Sequence, residues 1–486
     1  MSFKHGIQNI QLPGAGGTIA VNNSCVIAII GVSPVGPTQA LTLCNNSDDD
    51  EQFGADTPNN SIAKTIRIIR DTVKGASTNA SDGSCPIVVV NVYSAGTHKV
   101  ALAATNVTPN VTTGIATLAQ TIIGDLGTTV LITKHSDSTG VNVAAGGAYV
   151  FGTDYTLDAY GNFVDVTGTY KGVALDFAGY KLSTSAVTGA NIIGGTSGST
   201  KTGLALLDRV AGTYGFLPKI ILAPLYNTLT GVAAAMEIAA GSFGGDYLSD
   251  AASGTSFSSA LALRGSGIWN TAAPQTRPVW PWLQGYDSWV NDNVIFPFSA
   301  YLAGMYVAND NNTGYWNSVS NQNIPGVTGV EIEISTGFAD SNSEATQLNA
   351  VGILTYMTGY GLGYNTWGNR NASFPTSNSV LTFDNVYRTD GMVSDAMTQA
   401  GLKYVDKGIT PVLIDLIKTE GNNFLKSLIQ QGALLPGSSI VYDKSDNVAS
   451  DLAAGKIAFR RIYMVTTPAE DITFYSLLDI SLFGNL

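Results

Sequence analysis

Two short, unbroken apolar runs, CVIAIIGV at 25–32 and PIVVVNVY at 86–93, have the character of strands buried on both faces. Between them, SIAKTIRIIRDTVKG sets Ile62, Ile66, Ile69 and Val73 at helical spacing, with Asn60 or Ser61 placed to cap its start. The expected order is strand, helix, strand. The polar side of this helix carries Lys64, Arg67, Arg70 and Lys74 and is expected to be a solvated basic face. A second mixed stretch follows: GLALLDRVAGTYG reads as helix, PKIILAPLY as strand, and TGVAAAMEIAAGSFG as a helix closed by glycines. Farther on, TPVLIDLIKTEGNNFLKSLIQQG has Thr410 as a cap, Pro411 in the first helical position and Gly432 at its end. Leu413, Ile417, Phe424 and Leu428 form its apolar stripe. Gly421 inside this helix costs about 1 kcal/mol relative to alanine, unless a neighbour packs on the bare backbone.

From 97 to 201 the pattern changes. Thr, Gly, Val and Ala dominate, and short runs such as GAYVFG, TDYTLDAYG and GNFVDVTG alternate with turn residues, which predicts a small antiparallel sandwich inserted into another domain. No arginine occurs between Arg70 and Arg209, and all the tryptophans lie from Trp269 to Trp367. Both ends read as extended arms. The first carries Ile7, Ile10 and Leu12 ahead of flexible glycines; the last alternates so that Ile472, Phe474, Leu478, Ile480 and Leu482 share one side of a strand. Apolar strands on hinges are suited to pairing with the sheet edge of another subunit.

The charge balance narrows the choice of partners. Only 12% of the 486 residues are charged and the net charge is −12, so neither nucleic acid nor an anionic membrane is an expected partner. Much of the surface is neutral and suited to being covered by other copies. Cys25, Cys44 and Cys85 lack metal or disulfide spacing and read as buried thiols. The first residues contain no apolar leader and no stretch approaches a membrane span, so a protein made and kept in the cytosol is expected.

Catalytic, cofactor-binding and metal residues are expected to be absent. His5, His98 and His135 are widely separated, and the acidic run Asp48 to Glu51 reads as a solvated loop. GYGLGYNTWGNRN at 359–371 contains Gly361-Leu-Gly363, but a dinucleotide cradle needs a helix immediately afterwards, and NRNASFPTSNS is turn-forming. PVWPWLQGYDSW reads as core and interface aromatics in an extended segment.

Taken in order, these segments resemble the contractile phage tail sheath family. The resemblance is carried by GLALLD with PKIILAP, FPFSAYLAGMYVANDNNTGYWNSVSNQNIPGVTGV, EATQLNAVGILTY, TWGNRNAS, FDNVYRTDGMVSDAM, and QGAL before DLAAGKI. HGI before CVIAIIG resembles the beginning of the family, and GTDYTLDAYGNFV its β module. The resemblance implies an α+β, multi-domain chain: a mixed α/β sheath core, an inserted β-sandwich-like outer module and extended N- and C-terminal strand arms. Its parts would be a linking arm (1–24), core (25–96), outer domain (97–201), core (202–465, with about 380–465 nearest the tube) and a second arm (466–486).

It further implies hexameric rings stacked helically around a tail tube, with baseplate and tail terminator proteins as partners. The assembled particle would be a virion tail put together in the host cytoplasm, and contraction would need no cofactor. Trp316, Trp367, Gly368, Arg370 and Arg388 fall in the family's motifs: Trp367 is expected to be buried, Gly368 to relax the backbone and Arg370 to meet a carboxylate or carbonyl. The helix at 411–431 is expected to face the tube through Asp415, Lys418, Glu420 and Lys426. A bacterial contractile injection system would share these motifs. A Thr/Gly-rich surface-layer protein or adhesin would fit the composition but calls for a leader and a regular repeat.

Overall fold

The computed structural model describes residues 25–480, apart from 58, 79–82, 119–121, 124–130, 137–141, 145–151, 154, 159–160, 169, 288–290, 338–339, 341, 360 and 362. The two apolar runs lie at the middle of a six-stranded sheet. Its strands are β1 (Ile27–Gly31), β2 (Leu41–Cys44), β3 (Ile87–Asn91), β4 (Ile220–Leu222), β5 (Asp246–Asp250) and β6 (Thr276–Val279). Their spatial order is β6-β5-β4-β1-β3-β2, parallel throughout except for the edge strand β2. Alternate residues of β1 and β3 face opposite layers, so a continuous apolar run fills both. Ile27, Ile29, Ile87 and Val89 join one cluster, and Ala28, Ile30, Val88 and Val90 the other.

Of the helices α1 (Ser61–Ala76), α2 (Val232–Phe243), α3 (Phe257–Ser266) and α4 (Phe298–Asn312), the first, second and fourth pack on this sheet, while α3 gives Ala260 to a separate cluster with Trp269 and Trp280. α1 and α4 supply Ile62, Ile66, Ile69, Phe298, Leu302 and Met305 to the first layer; α2 supplies Val232, Met236 and Ala240 to the second. Burial of each such large side chain contributes about 1.5–3 kcal/mol. Asn60 caps α1, its side chain accepting from Ala63 N at 3.1 Å.

The basic face expected on α1 is not solvated. A hairpin of β7 (Leu283–Asp287) and β8 (Asp292–Phe296), extended by β9 (Val327–Val330), brings buried Asp287 to it. Lys64 Nζ lies 2.5 Å and Arg67 Nη2 3.0 Å from Asp287 Oδ2, and Arg67 also pairs with Asp56. Arg70 binds Asp50 at 2.8 Å and donates to the carbonyls of Cys44 and Cys85. Lys74 is exposed. Three of the four cations are therefore spent inside the subunit, and one of their partners, Asp50, comes from the acidic run expected to be a solvated loop.

Between β3 and residue 189 every described pairing is antiparallel. One sheet contains Lys99–Val107, Leu175–Leu182, Leu131–Ser136, Asn142–Ala144 and Ile122–Ile123; the other contains Ile115–Thr117, Asn162–Asp165 and Tyr155–Leu157. Tyr155, Leu157, Phe163, Tyr170, Leu175 and Phe177, drawn from both sheets and the turns beside them, share one apolar cluster. The strand that leaves the core and the strand that returns are neighbours: Lys99 pairs with Leu182, and Ser183 N donates to His98 O at 2.9 Å.

The rest of the chain adds the pair β10 (Thr355–Met357) and β11 (Asn365–Trp367), helices α5 (Asp384–Gly401) and α6 (Pro411–Gln430), and the pair β12 (Ser439–Val441) and β13 (Arg460–Ile462). α5, α6 and β12 share a cluster of Val386, Val393, Phe424, Leu425, Leu428 and Ile440. Thr410 caps α6 by accepting from Leu413 N at 3.2 Å, with Pro411 in the first turn as expected.

Candidate inter-subunit site

The last described stretch leaves this helical cluster at a fixed root. Val465 forms a bridge with Leu434, Thr466 N donates to Ala433 O, and Asn385 Nδ2 donates to the carbonyls of both Trp316 (2.8 Å) and Thr466 (3.0 Å). Five residues on, Glu470 accepts from Arg370 Nε at 3.0 and 3.1 Å. Beyond that point residues 471–479 belong to no strand. Ile472, Phe474, Leu478 and Ile480 are between 66% and 97% exposed, and so are Tyr475 and Leu477. Exposed apolar runs of this kind are uncommon on a protein surface and often mark interaction sites. Four of these side chains were expected on one side of a strand; residues 471–479 form none, and Tyr475 and Leu477, of the opposite parity, are exposed alike. Ile7, Ile10, Leu12 and Leu482 lie outside the described residues.

Arg370 is positioned by the motif that contains it. β10 and β11 are antiparallel, and the glycine-rich 359–363 segment lies in the connection between them. Trp367 is half-buried, not fully so; the Asn349 amide, oriented with its oxygen towards the indole N–H, accepts from Trp367 Nε1 at 3.0 Å. Gly368 has φ +127°, and a Cβ there would come within 2.6 Å of the Asn349 side chain and 3.2 Å of Leu354 Cα, so the turn admits no side chain. The guanidinium of Arg370 then lies 3.5 Å from the Phe383 ring centroid and 4.7 Å from that of Phe374, and donates to Thr382 Oγ1 at 2.6 Å. Trp316 packs half-buried on the α5–α6 cluster, edge-on to Tyr315.

Arg388 anchors α5 to the sheet. It forms a bidentate pair with Asp310 (3.0 and 2.9 Å), reaches Asp246 at 3.3 Å and lies over the Tyr306 ring. Arg277 joins the same buried group, 2.7 Å from Asp246 and also paired with Asp384, to which Tyr306 donates. Burial, opposed by Arg277 and reinforced by Asp384, pushes the Asp246 carboxyl up to about 7. The sequence singled out Arg388 but none of its partners. Asp246 begins a fully buried five-residue strand, DYLSD, in which no periodicity separates it from a turn acid.

Of the charged residues expected on the outer face of α6, Asp415 and Lys426 are exposed, and Lys418 is half-buried and 3.5 Å from Asp415. Glu420 is not on that face. It turns inward to Lys403 at 2.7 Å and lines a groove of about 240 Å³ with Met397, Tyr404, Ile417 and Ile440. The outer face instead presents Val412 and Leu416, both exposed.

The carboxyl ends of β1 and β4, where a doubly wound sheet offers a ligand crevice, are filled by Asn60, Ser61, Asn227 and Tyr226, all buried. No group of three or more His, Cys, Asp or Glu side chains among the described residues could hold a metal ion. No helix among them is long and apolar enough to cross a membrane.

Comparison with known proteins assigns this architecture to a family. The family model for the phage tail sheath protein central domain matches residues 201–372, the segment from the end of the insert through the Arg370 turn. The tail sheath protein of Burkholderia phage BcepMu is 32% identical over 481 residues, covering 97% of this chain and 96% of the relative. That of Escherichia phage P2 is 26% identical over 302 residues, covering 62% of this chain and 74% of the relative. The fold matches the contracted helical sheath of the anti-feeding prophage (TM-score 0.60, 14% identity, 99% of this chain and 100% of the other). It also matches the contracted sheath complex of the extracellular contractile injection system PVC (TM-score 0.60, 12% identity, 99% of both chains). Identity of 32% sustained along nearly the whole chain makes this protein a member of the contractile phage tail sheath family.

Proposed function

We propose that the chain is the structural subunit of a contractile sheath. Hexameric rings of it stack helically around a tail tube, and the sheath passes from a metastable extended packing to a lower-energy contracted one, driving the tube through the host envelope during genome ejection. Assembly takes place in the host cytoplasm and the product is a virion tail. The tube, baseplate and terminator proteins are the partners; nucleic acid and membrane lipid are not, and no cofactor or catalysis takes part. In this reading 25–96 and 202–465 form the core towards the tube, with about 380–465 innermost, 97–201 forms the outer module, and 1–24 and 466–486 are linking arms. A heterologous contact makes a ring where its rotation closes and a helix where it does not, and a sheath needs both.

The observation that carries the reading is the exposed apolar segment from Ile472 to Ile480, rooted on a rigid body and paired with no sheet of its own. Strand addition to another copy would cover it. Removal of residues 472–486 is expected to leave a folded protein that no longer polymerises. Long striated tubes of the truncated protein in negative-stain micrographs would refute the role of the arm. Sheath folds from injection systems resemble this chain as well, but the near full-length relative at 32% identity is a phage protein, which favours the virion.

A further inference from the structure

We propose that the Arg370–Glu470 ion pair is a latch that sets where the C-terminal arm leaves the body of the subunit. This rests on reading 466–486 as a linking arm. The arm root is pinned twice: at Val465 and Thr466 by Leu434, Ala433 and Asn385, and at Glu470 by Arg370. Residues 467–469 span the two pins.

The two halves of the second pin differ. Arg370 is held by the Phe383 and Phe374 rings and by Thr382 whether or not the carboxylate is present, and its side chain is 18% exposed; that of Glu470 is 43% exposed. The receptor is thus preformed and the carboxylate is the part that can leave. Pairs this close to solvent are weak and screened by salt, so load on the arm can open this one. Closed, the arm pivots beyond Glu470. Open, the pivot retreats to Thr466 and the arm gains residues 467–470, about 13 Å of extended chain. The latch therefore offers two tether lengths to a subunit whose neighbours change distance.

A nitroxide on Ala469→Cys in the full-length protein tests this, with the same labelling of the unsubstituted protein as background for Cys25, Cys44 and Cys85. Ala469 is exposed, between the pins. A broad, immobilised spectrum is expected with Glu470 present, and a narrow, fast one after Glu470→Ala, which leaves Arg370 stacked. Arg370→Gln should give the same shift; if that variant misfolds, Glu470→Ala decides. Equal mobility with and without Glu470 overturns the latch. Tubes are scored by negative stain in parallel: if the label reports release but the unsubstituted protein forms no tubes, the latch stands and the sheath reading fails.

Discussion

Arg388 sits where removal of one side chain uncovers two carboxylates. Arg388→Met would remove the bidentate partner of buried Asp310 and leave Asp246 to Arg277 alone, at an expected cost of about 3–5 kcal/mol in chemical denaturation. Adding Asp310→Asn should recover part of that loss, because an uncompensated buried charge costs more than a missing pair. No recovery in the double variant would mean that packing over Tyr306, not charge, is the main term. Asp250 adds a dependence on pH. Its carboxylate accepts from Ser299 N (2.8 Å) at the start of α4, but burial outweighs that donor and raises the carboxyl from 3.8 to about 7. A folded-state pKa above the unfolded one favours the protonated form. The contribution is complete below about pH 4 and is lost as pH rises through 7. Stability to urea is expected to fall as this contribution is lost between about pH 4 and 7, with Asp246 acting in the same direction. Asp250→Asn should make that fall shallower; identical slopes would exclude Asp250 as a source.

At the scale of elements, α6 shows why some structure was legible and some was not. Its cap, first-turn proline and buried Phe424 and Leu428 follow from neighbours in sequence, and so did the expectation that a neighbour excuses Gly421. The neighbour is Ile440, whose Cδ1 lies 2.3 Å from where a Cβ would stand. Gly421→Leu is therefore expected to cost about 1–3 kcal/mol by overpacking, and Ile440→Ala to offset part of it in a double-mutant cycle; strict additivity would separate the two sites. Strands β1 and β3 were legible for the same local reason. The basic face of α1 was not, because Asp287 lies 223 residues beyond Lys64 and nothing nearby signals it. Arg370 falls between: that it would meet a carboxylate or a carbonyl was the expectation from its motif, but that the partner is the carboxylate of Glu470, 100 residues away, was not readable. Glu420 was misplaced because helical spacing alone cannot say that Lys403 turns it inward. With Glu420 withdrawn, Lys418 and Lys426 remain to test α6 as the tube-facing element. Their reversal to glutamate is expected to abolish assembly on the tube, and undiminished cosedimentation would contradict it.

For the molecule as a whole, the insert is joined to the core by two adjacent strands, with Lys99 opposite Leu182. Such partners lie about 5 Å apart, so a short glycine linker from His98 to Ser183 can replace everything between them. The shortened protein is expected to keep the cooperative unfolding of its core, since the segment has its own apolar cluster and, of its described residues, Leu182 alone belongs to a cluster of the six-stranded sheet. Loss of cooperative unfolding would show that the two fold as one unit. The paired attachment also has a mechanical consequence. A pull on residues 99–182 away from the six-stranded sheet draws both strands by the same end and in the same direction, so the ladder between them is loaded evenly and is not opened like a zip. Stress on that segment would be shared by the two strands and delivered to the core at His98 and Ser183 together.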